Sequence, residues 1–76
     1  MLVFDRIKEI IADQFEVDPE IITYGTSLIS DLDAESLDFI DLAMAIEDEF
    51  DVEVTDEALL QFVTVEDIVN FVMEHI

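Results

Sequence analysis

Twenty-one carboxylates share this chain with only two cationic side chains, Arg6 and Lys8, and that imbalance constrains the fold more than any other feature. A net charge of −19 cannot be hidden, because burying an unpaired charge costs several kcal/mol and partners are too few. The interior must therefore be assembled from apolar stripes that leave the acids in water. Apolar residues make up 53% of the sequence, with a single Gly and a single Pro, enough for such a core and unlike a disordered acidic tail. At 76 residues, one small domain spanning 1–76 is expected, with modest stability that salt or divalent cations should improve. The charge disfavours nucleic acid and anionic membrane as partners and favours basic proteins. No cysteine is present, so disulfides and thiolate zinc sites are excluded. The N-terminus, with Asp5, Arg6 and Lys8, lacks an apolar leader, and the longest uncharged run, residues 21–30, is far short of the roughly 20 residues that span a bilayer. A cytoplasmic, monomeric protein is the expectation.

Val3, Phe4, Ile7, Ile10, Ile11 and Phe15 recur at three- and four-residue steps and gather on one side of a first helix, opposite Arg6, Glu9 and Asp13. Residues 16–35 show no sustained period and contain Asp18-Pro19, Tyr24-Gly25 and Thr26-Ser27, which marks a long connection. Ile21, Ile22, Leu28, Ile29 and Leu32 are expected to pin it to the core. A second helix is expected over Ser36–Phe50, rich in Leu, Ala, Met and Glu. Val52-Glu53-Val54 alternates but is too short to pair. Thr55 is a candidate N-cap for a short helix over residues 56–62, with Asp56 and Glu57 at its positive end. Thr64 with Asp67 resembles a capping box in which Asp replaces the usual Glu, and Val65, Ile68, Val69, Val72 and Ile76 give the last helix one apolar face. The expected architecture is all-α: a small antiparallel bundle of three main helices plus one short helix, with a long first loop.

The second helix carries more apolar surface than its inner face needs. At about 100° per residue, Phe39, Leu42, Ala43, Ile46 and Phe50 share the core side. Leu37 and Met44 fall opposite, in the sector of Asp41 and Asp48, with Ile40 and Glu47 at one edge and Asp38 at the other. Those acids cannot be buried, so Leu37, Ile40 and Met44 should be exposed. Two explanations stand at this point. Scattered exposed apolar residues are ordinary. Alternatively, the sector is a docking ridge, on which carboxylates steer a basic partner and apolar side chains supply contact on arrival.

The run Asp31-Leu32-Asp33-Ala34-Glu35-Ser36-Leu37-Asp38-Phe39-Ile40-Asp41-Leu42, followed by an acidic amphipathic stretch ending Glu49-Phe50, resembles the acyl carrier proteins. The likeness extends from the first helix to the last. It implies that Ser36 is the attachment site for 4′-phosphopantetheine, donated from coenzyme A by a phosphopantetheinyl transferase. The arm's thiol would carry acyl intermediates as thioesters, in fatty acid biosynthesis above all. The likeness further implies that Glu35, Leu37, Asp38, Ile40, Asp41, Met44, Glu47 and Asp48 meet basic patches on the transferase and on acyl-chain enzymes. Leu28, Leu42, Ile46, Val54, Leu59, Phe62 and Ile68 are the corresponding acyl-pocket candidates, although ordinary core packing explains each of them equally well. Two positions depart from the family pattern. Glu35 stands where Asp usually precedes the serine, and Asp33 stands where Gly is common, without glycine's easy access to positive φ. At a helix N-terminus a serine suits a phosphodiester, because free N–H groups and the helix dipole favour an anion there. Taken without the resemblance, an ordinary N-cap is the favoured reading of Ser36.

Other function classes fit less well. The one histidine, His75, lies at the end of the last helix, where interaction with the helix dipole is its simplest role, so no catalytic residues are expected. Asp31-x-Asp33-x-Glu35 suggests a calcium loop, but Ser36 and Leu42 occupy the positions that need Gly and a bidentate Glu, so no metal site is expected. From another class, an unmodified acidic binding module remains open. A carrier of D-alanine, an amino acid or a polyketide remains open within the family.

Overall fold

The computed structural model describes residues 2–76. Helix α1 runs Val3–Phe15, α2 Ser36–Phe50, α3 Asp56–Leu60 and α4 Val65–His75. Among the described residues there is no strand, only an isolated antiparallel bridge between Ser27 and Thr64. The architecture is an all-α bundle of three longer helices and one short one, in which α1 packs on both α2 and α4.

The inner stripes meet as their spacing demands. Ile7 and Ile11 of α1, Leu42 and Ile46 of α2, and Val65, Ile68 and Val72 of α4 are fully buried around Leu28 from the first connection. Each such side chain contributes about 1.5–3 kcal/mol by leaving water. Phe4, Phe15, Phe39, Phe50 and Phe71 close the edges of this core, half-buried. The last helix ends at His75, so Ile76 falls outside it and is exposed instead of joining the apolar face.

The long first connection is held by backbone hydrogen bonds as much as by apolar anchors. Asp18 accepts the N–H of Glu20 at 2.9 Å and opens a 3-10 turn over Pro19–Ile21. Further on, Thr26 O accepts from Val65 N, Tyr24 O accepts from Glu66 N, and Leu28 N donates to Val63 O, all within 3.0 Å. Ile22 and Leu28 reach the core and Leu32 packs against it, but Ile21 and Ile29 are exposed. Each of those two adjoins an inward-pointing neighbour, and adjacent side chains on extended or turning backbone cannot share a direction. The short third helix stops at Leu60, two residues before the expected end, and Thr55 Oγ1 accepts from Ala58 N at 3.1 Å as its cap.

Both cationic side chains are occupied along α1. Arg6 bridges Glu9 and, at 2.7 Å, Glu49 near the end of α2. Its guanidinium, by hydrogen bonding, holds the Glu49 carboxyl below the usual carboxylate range. Lys8 lies 5.2 Å from the centre of the Phe4 ring, which in turn stacks on Tyr24. Neither of these two side chains is therefore left to neutralise the outer face of α2.

Candidate functional site

The chain enters α2 through a tightly closed turn. Asp31 accepts the N–H of Ser27 at 2.7 Å, and Asp33 N and Ala34 N donate to Ile29 O and Leu28 O at 3.0 Å each. Closing this turn puts Asp33 in the left-handed region at φ 56°, so Asp occupies a conformation that glycine adopts without strain. The only glycine, Gly25, lies elsewhere, on backbone of ordinary φ. Glu35 then becomes the extended N-cap, and Asp38, three residues on, accepts its N–H at 2.8 Å. The N-cap is thus Glu35 and not Ser36, because the short Asp38 side chain reaches back to the residue before the serine.

Ser36 is consequently the first helical residue, and it is exposed. Its hydroxyl makes no hydrogen bond among the described residues, and neither its own N–H nor that of Leu37 has a protein acceptor. The first bond of the helix runs from Phe39 N to Glu35 O at 3.2 Å. An exposed hydroxyl beside two unclaimed N–H groups at a positive helix end is a setting that accommodates a phosphate diester. The residues present thus fit a phosphopantetheine arm.

Beside Ser36 an apolar groove of about 380 Å³ opens between α2 and α3, lined by Ile29, Phe39, Ile40, Leu59, Leu60, Phe62 and Val63. Of the pocket residues inferred from the sequence, Leu59 and Phe62 line it. Leu28, Leu42, Ile46 and Ile68 are fully buried in the core behind, and Val54 is half-buried outside the lining. Ile29, expected from the sequence to anchor in the core, is instead an exposed groove residue, and Leu60 and Val63 are exposed groove residues that the pattern does not single out. Leu60 and Val63 each follow directly on an inward partner, Leu59 and Phe62, and that doubling was the available signal.

Along the outer face of α2, Leu37, Ile40 and Met44 are 72%, 49% and 62% exposed. Glu35, Asp41 and Asp48 are exposed among them. Two of the expected ridge acids have internal roles. Asp38 caps the helix, and half-buried Glu47 accepts the N–H of Val54 at 2.8 Å, tying down the chain that leaves α2. His75, by contrast, lies far along the chain from this face, with Nδ1 2.7 Å from Phe71 O and its ring stacked on Phe71.

Comparison with known proteins shows the family of the chain. Residues 5–72 match the family described as phosphopantetheine attachment site. The acyl carrier protein of Clostridium acetobutylicum is 45% identical over 74 residues, which cover 97% of this chain and 96% of that protein. Acyl carrier proteins of Picosynechococcus and Lactobacillus acidophilus are 44% and 41% identical, over 95% and 96% of this chain and 89% and 91% of their own lengths. Family members carry covalently attached 4′-phosphopantetheine and work with a phosphopantetheinyl transferase and acyl-chain enzymes. The chain belongs to the acyl carrier protein family, and its role is to carry acyl groups, not to catalyse their chemistry.

Proposed function

We propose that Ser36 Oγ is the attachment point of the arm, and that the chain presents acyl intermediates of fatty acid biosynthesis to cytoplasmic partner enzymes as a monomeric single domain. The observation that carries the assignment is the state of Ser36: exposed, without a hydrogen-bond partner among the described residues, and flanked by the unclaimed N–H groups of Ser36 and Leu37. When bound, the arm supplies the thiol that this cysteine-free chain lacks. The helix start faces the phosphate diester, the groove from Phe39 to Phe62 offers apolar shelter to the near end of a cargo, and the ridge of Leu37, Ile40, Asp41, Met44 and Asp48 meets a basic partner. Rim carboxylates of this kind act mainly on the association rate and lose effect as salt screens them.

Incubation with coenzyme A and a broad-specificity phosphopantetheinyl transferase should add one phosphopantetheine to the native chain and none to Ser36→Ala, read by intact mass. Addition to Ser36→Ala would place the site elsewhere. Asp41→Lys with Asp48→Lys should slow that reaction about tenfold or more at low salt, and the deficit should shrink as salt rises. Reversal of Glu47 is a poorer test, because it also removes the acceptor of Val54 N–H.

A further inference from the structure

We propose that Gln14, on α1, is a positioning residue for Ser36, an inference that rests on Ser36 being the modified residue. The side chain of Gln14 is half-buried, and its Nε2 donates to the backbone carbonyl of Asp38 at 2.7 Å, across 24 residues of sequence. A carbonyl oxygen has two lone pairs, so Asp38 can take this bond in addition to its helical one. Arg6 ties α1 to the far end of α2 through Glu49, so Gln14 holds the end that carries the serine.

The effect on Ser36 follows from what Ser36 lacks. Among the described residues neither its hydroxyl nor its N–H has a hydrogen-bond partner, so its orientation is set by the residues on either side. Asp38 is the link. Its carboxylate fixes the N–H of Glu35 at 2.8 Å, and its carbonyl is fixed in turn by Gln14, so Ser36 sits between two backbone points that share one anchor on α1. First turns of helices fray because their N–H groups have no intrahelical partners, and a tertiary bond to such a turn opposes that opening. A single neutral hydrogen bond corresponds to roughly a fivefold change in the open population.

Gln14→Met keeps the length and packing of the side chain and removes the donor, whereas Gln14→Lys keeps a donor at similar reach. With Gln14→Met, modification of Ser36 should slow in kcat, by up to about fivefold, with KM unchanged, because the docking face is untouched. The deficit should persist at high salt, unlike that of the Asp41 and Asp48 reversals. Hydrogen exchange at Phe39 should accelerate by a similar factor while Val65 and Glu66, at the start of α4, stay as in the native chain. Gln14→Lys should restore most of both effects. Native kcat and native exchange at Phe39 in Gln14→Met would overturn the proposal, as would acceleration spread evenly over all helices, which marks simple destabilisation. If the native chain itself takes no modification, the Ser36 assignment fails, and the exchange at Phe39 alone then decides whether Gln14 holds the turn.

Discussion

Helices α2 and α4 begin with the same device and put it to opposite uses. In each, an Asp three residues past the N-cap reaches back to the cap's backbone, Asp38 to Glu35 N at 2.8 Å and Asp67 to Thr64 N at 3.0 Å. The first helical residue of α4 is Val65, fully buried, and its first-turn N–H groups are taken by loop carbonyls, Val65 by Thr26 and Glu66 by Tyr24. The first helical residue of α2 is Ser36, exposed, with its N–H and that of Leu37 left open. A capped helix start is therefore a structural commonplace in this molecule, and what sets α2 apart is that its start is left unsealed. Every donor closed at α4 strengthens the fold, whereas the donors left open at α2 are available to an anion.

A reciprocal exchange of the two first residues should break this contrast most sharply. Val65→Ser should cost about 3 kcal/mol, from lost burial and a hydroxyl stranded in the core, and should leave modification confined to residue 36. Ser36→Val should change stability by no more than about 0.5 kcal/mol, since the site is exposed, yet abolish modification altogether. Urea denaturation and intact mass on the same two proteins give both readouts. A large stability loss in Ser36→Val would mean that the start of α2 is structurally committed after all.

The two capping acids should differ next. Asp67 accepts from both Val63 N and Thr64 N at 3.0 Å, and these backbone bonds hold its carboxyl below the ordinary value for Asp. A folded-state pKa lower than the unfolded one means that the bound N–H groups add stability above the unfolded value. That addition is lost as pH falls through the folded one. Asp67→Ala should therefore cost about 1 kcal/mol at neutral pH, with the gap from the native chain constant down to about pH 4 and closing below it. Asp38→Ala, which removes an acceptor from one N–H only, should cost about half as much. Equal losses would show that the two helix starts are energetically alike.

Much of this contrast is legible in the sequence. The bounds of α2 follow from its helix formers, and the exposure of Leu37, Ile40 and Met44 follows from the acids that surround them, because charge without counter-charge cannot be buried. Ser36 is legible through its motif. What the pattern does not give are the features made between separate segments: the Gln14 contact to Asp38, the bond from the loop at Val54 back to Glu47, and the groove wall formed by Ile29 with Leu60 and Val63. Local periodicity says which side of an element is apolar, but not which loop residue ends beside it. The direction of side chains in the first connection is hidden for the same reason, since Ile21 and Ile29 are as apolar as Ile22 and Leu28, and only the turn geometry separates them.

The approaches to the two helices also differ in strain, and here the smallest effect is expected. The segment leading into α4 contains no residue at positive φ, whereas the segment leading into α2 passes through Asp33 at φ 56°. A residue with a Cβ pays about 1 kcal/mol in that conformation, and Asp is among the side chains that tolerate it best. Glycine avoids the penalty but loses more chain entropy on folding, so the two partly cancel. Asp33→Gly should then raise stability by about 0.5 kcal/mol, helped slightly by the loss of one negative charge, while Asp33→Ala should lower it by a similar amount. The order Gly, Asp, Ala in urea midpoint is diagnostic, because removing charge alone would make Gly and Ala equal. If Ala matched Gly, the turn before Ser36 would carry no strain, and the two helix starts would differ only in what they leave exposed.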